Sequence, residues 1–287
     1  MNILITGSSG FVGRHLLAYL KNNTDAHCIG LTRSASKNIA DDTVICELTD
    51  RPQIDKLIKK LQPSLIFHAA GSFSNNFETD FQNNVACTKN ILESVREYSP
   101  TSRVLLMGSA AEYGEISNDE NPIAEDHPLN PISIYGWSKA AQTQLAHLYV
   151  KTYDIDIVIA RTFNLVGKGM SDKLFVGRVE NQINAVLSGD VETISVGHLD
   201  AERDYIDIEK ACEIYYKIAK KGKAGEIYNV GSGTAISMRE LLKNLLQQAG
   251  LDYSIVNEKT YNKNTPHSEV SIIYANIDQL SKLTTIT

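Results

Sequence analysis

Residues 6–13 read Thr6-Gly7-Ser8-Ser9-Gly10-Phe11-Val12-Gly13. An apolar run, Ile3–Thr6, leads into them, and a helical pattern, Phe11–Asn22, follows. Three glycines between a strand and a helix let the backbone turn sharply and approach a pyrophosphate. The last one also lets helix and strand pack closely, and the helix start offers free N–H groups to phosphates. Because the loop opens the first βαβ unit, it predicts dinucleotide binding at Gly7, Gly10, Phe11, Val12 and Gly13. A purely structural turn is the alternative.

Moving outward, the first 160 residues alternate. Short β-branched runs at Ile3–Thr6, His27–Thr32, Thr43–Cys46, Ser64–His68, Arg103–Met107 and Ile155–Ala160 are separated by helical patterns at Phe11–Asn22, Pro52–Leu61, Asp80–Tyr98 and Ile134–Tyr153. Strands alternating with helices of this length imply right-handed crossovers and a Rossmann-type, doubly wound parallel α/β sheet. After Arg161 the rhythm changes. Helices are expected at Phe175–Leu187, Ile208–Lys220 and Met238–Ala249, with short strands such as Glu226–Val230. This predicts a dinucleotide-binding domain over 1–163, with a return segment near 190–230, and a smaller, partly interleaved α/β substrate lobe over 164–287.

The 287 residues suffice for one large α/β domain or two modest ones. A net charge of −6, from 34 acidic and 28 basic residues without a basic block, argues against nucleic acid or a membrane as partner. Cys28, Cys46, Cys87 and Cys212 are scattered, without metal-ligand spacing, and read as core residues in a reducing cytoplasm. No apolar run approaches the ~18 residues of a membrane span, so no span is expected, and Met1-Asn2-Ile3-Leu4-Ile5 reads as running into a short strand rather than as a leader.

The GxxGxxG spacing resembles the short-chain dehydrogenase/reductase superfamily. About twenty residues after the last glycine, where an acid would bind the ribose of NAD, the second strand ends in Leu31-Thr32-Arg33-Ser34. Arg33 and Ser34 suit a 2′-phosphate, which favours NADP, with NAD as the alternative. Glu47 and Leu48 stand where the superfamily usually places an Asp and an apolar residue around adenine. Ala69, Ala70 and Gly71 are small enough for a cofactor to cross the sheet edge. His68 reads as a core histidine with no assigned chemistry.

Tyr135-Gly136-Trp137-Ser138-Lys139 places Tyr135 and Lys139 four apart, on one helix face. A free tyrosine titrates near ~10 and is a poor acid–base group at neutral pH. The lysine ammonium, together with an oxidised nicotinamide, is expected to favour the phenolate. Ser109 closes the apolar strand of Arg103–Met107, at the sheet edge where ligands bind, so it can hold a carbonyl oxygen beside Tyr135. Ser109, Tyr135 and Lys139 are the expected catalytic residues.

Taken together, TGSSGFVG, HAAG, the stretch around Asn84-Val85, SAAEYG, YGWSK, RTFN at 161–164 and RDY at 203–205 resemble the extended short-chain dehydrogenases/reductases, which act on nucleotide-activated sugars. Dehydratases of that family carry an acid within the two residues after the catalytic Ser or Thr. Here those residues are Ala110 and Ala111, which cannot move protons, while Glu112 falls one place later and is expected to point elsewhere. RTFNLVGKG and VGHLDAERDYIDI resemble the GDP-4-keto-6-deoxy-mannose reductases. That resemblance implies reduction of the 4-keto group of a nucleotide-6-deoxy-sugar with NADPH, with Asn84 beside the cofactor, Asn164 on the substrate or the amide side of the cofactor, and Arg203 and Glu269 on the substrate.

It also implies a homodimer through helices near Asn84–Tyr98 and Trp137–Tyr153, although Ile91, Leu92, Val95, Leu145 and Leu148 can equally be core. An NAD-dependent nucleotide-sugar C4 epimerase is the alternative, and a dinucleotide-sensing protein without catalysis is the remote one. Arg161 reads either as a site residue or as a buttress of the sheet edge. Arg203 has Asp204 and Asp207 as rival partners, and Asp207 itself reads as a helix cap. Pro266 stands where relatives carry an arginine on the diphosphate, leaving that task to Arg203 alone or with Lys263. The sequence stops at Thr287, where relatives continue for another helix, so a trimmed small lobe is expected.

Overall fold

The apolar runs form strands buried on both faces. The computed structural model describes residues 1–34, 42–259 and 270–283. In chain order the first part contains β1 (Asn2–Thr6), α1 (Phe11–Asn23), β2 (His27–Thr32), β3 (Thr43–Ile45), α2 (Arg51–Leu61), β4 (Leu65–His68), α3 (Phe77–Asp80), α4 (Cys87–Tyr98), β5 (Arg103–Ser109), α5 (Ile134–Tyr153) and β6 (Ile157–Thr162). There follow β7 (Asn164–Val166), α6 (Phe175–Leu187), β8 (Ile194–Val196), β9 (Glu202–Arg203), β10 (Tyr205–Asp207), α7 (Ile208–Lys221), β11 (Ile227–Val230), β12 (Ile236–Ser237), α8 (Met238–Gln248), β13 (Val256–Glu258) and β14 (Ile272–Ile273).

Among the described residues, seven parallel strands form the main sheet in the order β11-β6-β5-β4-β1-β2-β3. Side chains alternate across a strand, and β1 shows the consequence. Ile3 and Ile5 pack with Leu16 and Leu20 of α1 and with Ile214 and Ile218 of α7. Leu4 points the other way, into the cluster that holds Ile54 and Ile58 of α2, Ile91 and Val95 of α4 and Ala146 of α5. Helices therefore cover both faces, as the alternating pattern predicts. The chain reverses direction across the sheet at β1, where crossovers diverge toward β2 and β4 and leave a crevice at the strand ends.

One element differs from expectation. The helical run begins at Phe77, and Phe81–Ala86 forms a wide π-helical turn before α4. The extra residue in that turn changes the phase of the helix and brings Asn84 inward, fully buried.

Beyond β6 the chain serves two regions. α7 packs against α1, and β11 joins the main sheet beside β6. α6, α8, β8 and β13 enclose a separate small core containing Val179, Ile183, Ile194, Leu242 and Leu246. Of the apolar residues on α4 and α5 noted above, Ile91, Leu92 and Val95 lie in the sheet-facing core and Leu145 packs against it, whereas Leu148 is 55% exposed. No described helix is long and apolar enough to cross a membrane.

Candidate active site

The glycine loop is shaped by contacts that admit no side chain. Gly7 has φ +67°, and a Cβ there would lie 2.8 Å from the Ala70 Cα. A Cβ on Gly13 would lie 2.2 Å from the Gly7 carbonyl oxygen. Gly10 donates to that same carbonyl at 2.9 Å, which closes the turn before α1. The Gly10 cap has no side-chain bond and the first turn of α1 carries no acid, so its backbone donors remain available to an anion.

Two crevices open at the carboxyl ends of the strands. A smaller one of about 160 Å³ is lined by Gly7, Ser9, Gly10, Thr32, Arg33, Glu47, Leu48, Asn83 and Cys87, among others. Arg33 and Ser34 are exposed at the end of β2, where Ser9 Oγ lies 3.0 Å from Thr32 Oγ1 and the Ser34 carbonyl accepts from Thr32 Oγ1 at 3.3 Å. Glu47 accepts from the Thr49 N–H at 3.1 Å, so its carboxylate is turned onto its own loop. The larger cleft, of about 820 Å³, runs past Phe11, Val12, Gly13, Asn84, Ser109, Tyr135 and Lys139 to Asn164 and Arg203. Gly10, Ala69, Ala70 and Gly71 line both, so one extended ligand can span the two.

Ser109, at the end of β5, caps a short turn that starts at Ala110: its hydroxyl accepts from the Ala111 N–H at 3.2 Å, while its own N–H donates to Glu112 Oε1 at 2.8 Å. Glu112 is fully buried. Its other oxygen accepts from Thr143 of α5 at 2.8 Å and from Arg161 of β6 at 3.0 and 3.1 Å. Arg161, also buried, stacks over the Tyr113 ring at 4.7 Å and donates to the Glu125 carbonyl at 3.1 Å. Glu112 thus points away from the cleft, and Arg161 acts as a buttress. Together they pin the Ser109 turn against α5 and β6.

Tyr135 and Lys139 lie one turn apart on α5, whose start is capped by Ser133 accepting from the Gly136 N–H at 3.0 Å. Tyr135 and Ser109 line the same cleft, and the Ser109 side chain is close enough to influence the phenol. Burial raises the Tyr135 pKa above the ordinary phenol value, the Ser109 side chain works against this, and the charges of Glu112 and Asp80 add to the rise. Lys139 is not among the groups that set this direction in the protein alone; the lowering expected above needs an oxidised nicotinamide beside it. Lys139 is turned to the Met107 carbonyl and to Gln142 Oε1, each at 2.5 Å, and burial brings its pKa down to about 8. A protonated Tyr135 is the form able to donate a proton.

A strap over the cleft comes from the loop after β4. Buried Asp80 accepts from the Ser72 and Ser74 hydroxyls at 2.7 and 2.8 Å and from the Asn75 N–H at 2.8 Å. Asn84 accepts from the Ser72 N–H at 2.8 Å and donates to Ser138 Oγ at 2.8 Å. The strap lays Phe73 edge-on against the Tyr135 ring, with centroids 4.8 Å apart. Sequence reading missed Asp80 as the anchor, although Ser72, Ser74 and a helix-start acid four residues before Asn84 were visible signals.

The remaining expected residues divide. Asn164 and Arg203 line the cleft. Asn164 donates to the Asp204 carbonyl at 3.0 Å, and Arg203 to the Glu202 carbonyl at 2.8 Å. Asp204 is fully buried and accepts from the Ser232, Gly233 and Ala275 backbone N–H groups. Asp207 caps α7, accepting from Glu209 N–H at 2.8 Å. Glu269, with Lys263 and Pro266, lies outside the described residues. Lys173, which sequence reading overlooked, also lines the cleft. Among the described residues the cleft's charged lining is Lys139, Lys173 and Arg203, with no carboxylate.

The glycine cradle, the small residues shared by both crevices and this cationic lining fit a dinucleotide with its pyrophosphate over Gly10. Among the described residues, no cluster of three His, Cys, Asp or Glu could hold a metal ion.

Comparisons with known proteins agree with this architecture. The chain is 29% identical over 266 residues to a GDP-6-deoxy-D-mannose reductase of Pseudomonas aeruginosa, covering 89% of this chain and 83% of that protein. It is 28% identical over 278 residues to a dTDP-glucose 4,6-dehydratase of Haemophilus influenzae, covering 86% of this chain and 79% of that one. Its fold matches the solved structure of RMD from Pseudomonas aeruginosa complexed with NADPH, with a TM-score of 0.85 at 24% identity over 99% of this chain and 92% of that one. The model of the NAD dependent epimerase/dehydratase family matches residues 3–231, and the chain belongs to that family of nucleotide-sugar oxidoreductase-type enzymes.

Proposed function

We propose that the protein is an NADPH-dependent reductase of the 4-keto group of a nucleotide-activated 6-deoxy-sugar, of the GDP-4-keto-6-deoxy-mannose type. The observation that carries this reading is the setting of the Ser109–Tyr135 pair. The two residues after Ser109 are alanines, which cannot move protons, and the next residue, Glu112, is buried against Thr143 and Arg161. Water elimination needs an acid and a base beside the sugar. Ketone reduction needs one hydride and one proton.

The bound dinucleotide supplies the hydride. Ser109 and Tyr135 hold the keto oxygen, and protonated Tyr135 gives it the proton as the carbonyl π bond opens. The product is the C4 alcohol, and the phenolate regains a proton from solvent. Lys139 supports the cofactor ribose and Tyr135. Arg33 and Ser34 receive the 2′-phosphate of NADP, Glu47 and Leu48 flank the adenine, and Ala69, Ala70, Gly71 and Asn84 line the path between. Asn164 contacts the substrate, and Arg203, aided by Lys173, meets its diphosphate, with Glu269 as an expected ribose contact.

The reading includes a dinucleotide-binding domain over 1–163 and a mainly sugar-nucleotide lobe over 164–287. It also includes a cytoplasmic homodimer on the α4 and α5 faces, serving activated-deoxysugar and polysaccharide synthesis. The test is turnover with a nucleotide-4-keto-6-deoxy-sugar. Consumption of NADPH supports the reading. Tightly held NAD⁺ released on denaturation, with no net NADPH consumption, points instead to C4 epimerisation.

A further inference from the structure

His68 and Gln142 have no role in the reaction as described, yet both belong to a buried polar chain that ends on Lys139. Thr6 Oγ1 is 2.8 Å from His68 Nδ1, and His68 Nε2 is 2.9 Å from Thr88 Oγ1. Gln142 Nε2 is 2.6 Å from the same Thr88 hydroxyl, and Gln142 Oε1 is 2.5 Å from Lys139 Nζ. All five side chains are buried.

The proton positions follow by elimination. Thr88 Oγ1 also lies 2.6 Å from the Asn84 carbonyl, which can only accept, so the one hydroxyl proton is spent there. Thr88 must then accept from both Gln142 and His68. His68 is accordingly the neutral Nε2–H tautomer, and its bare Nδ1 accepts from Thr6. The Thr6 oxygen in turn accepts the Ala70 N–H at 3.0 Å. The Gln142 amide has one orientation only, NH₂ toward Thr88 and carbonyl toward Lys139. A flip would set donors against the ammonium and an acceptor against an oxygen with no proton left.

Lys139 thus spends two of its three donors on carbonyls behind it, Met107 and Gln142, and keeps one for the cleft it lines. We propose that Gln142 is a positioning residue: oriented by Thr88 and His68, its carbonyl keeps Lys139 charged and turned so that the remaining N–H faces the cofactor side of the cleft. The part of this that concerns turnover rests on the reading of Lys139 as serving a dinucleotide-dependent reaction. The charged or titratable groups that act on the amine or are acted on by it are Glu112 from the turn after β5, which favours its charge, and neutral His68 from β4; Tyr135, one turn earlier on α5, lines the same cleft. Burial opposes the charge.

The test follows the Lys139 Nζ signal by NMR in protein labelled with ¹⁵N-lysine, without ligand, the signal being identified by its loss in Lys139→Arg. Gln142→Met keeps the length and removes the acceptor, and the midpoint is expected to fall by about one pH unit, tenfold in proton affinity. Gln142→Glu, which places a carboxylate there, is expected to raise it and serves alone if Gln142→Met does not fold. In turnover, the alkaline limb of kcat against pH should move in the same directions, with kcat of Gln142→Met about fivefold lower near pH 8, approaching tenfold at higher pH, and substrate KM little changed. Unmoved midpoints and limbs in folded variants would overturn the proposal. Absence of turnover in the unaltered protein would instead sink the reductase reading, while the NMR titration would still decide the role of Gln142.

Discussion

Tyr135 meets Ser109 because a strand end and a helix start converge at one edge of the sheet. The phenol is held protonated by burial and by the nearby charges of Glu112 and Asp80. Tyr135→Phe should therefore lower kcat by about 10²–10⁴-fold while leaving cofactor affinity, followed by fluorescence titration, within about twofold. Equal turnover by the variant would remove Tyr135 from the chemistry. Arg33 gives a second prediction at this scale. A charge-assisted bond to a 2′-phosphate is worth about 1.5–3 kcal/mol, so Arg33→Ala should raise the KM for NADPH roughly tenfold or more and leave that for NADH unchanged. The Tyr135–Lys139 pair was legible because residues four apart on a helix share a face. The direction taken by the lysine amine was not, because Met107 lies 32 residues away and burial decides the outcome.

The turn after β5 depends on α5 and β6 through one buried carboxylate. Glu112→Ala would leave the Arg161 guanidinium buried without its anion, a loss of about 3–5 kcal/mol. Calorimetry should show it as a marked drop in Tm, larger than that of an exposed control such as Glu192→Ala. Sequence reading placed Glu112 outside the chemistry but could not supply its partners, since Thr143 and Arg161 are 31 and 49 residues away. The wide turn at Phe81–Ala86 was equally hidden, because a change of helical phase leaves no mark in an apolar repeat.

β4 supplies a pH prediction. Burial, helped by the charge of Lys139, brings the pKa of His68 down to about 3 in the folded protein, against about 6.5 in an unfolded chain. Above pH 6.5 the imidazole is neutral in both states and contributes no pH dependence. As pH falls toward 3, the unfolded chain takes a proton that the folded one refuses, and stability drops by about 1.4 kcal/mol per unit. Urea unfolding between pH 7 and 4 should show this slope reduced in His68→Asn. An identical slope in both proteins would contradict the buried neutral assignment.

For the molecule as a whole, the alternating strands and helices made the doubly wound sheet readable, and the glycine loop made its cofactor edge readable. Less readable was how the later chain divides: β11 completes the sheet while α6 and α8 build a separate core, because pairing partners such as Ile227 and Ile159 are far apart in sequence. The cleft between these regions gathers Lys139, Lys173 and Arg203, and along it a serine followed by two alanines faces the same space as a tyrosine. That combination underlies the central claim of reduction by one hydride and one proton. Its most direct test is absorbance at 340 nm with GDP-4-keto-6-deoxy-mannose generated in situ, NADPH in one cuvette and NADH in the other. The account predicts rapid loss of NADPH with a C4 alcohol as product and little loss of NADH. No oxidation of either cofactor, with this sugar or its dTDP and CDP counterparts, would contradict it.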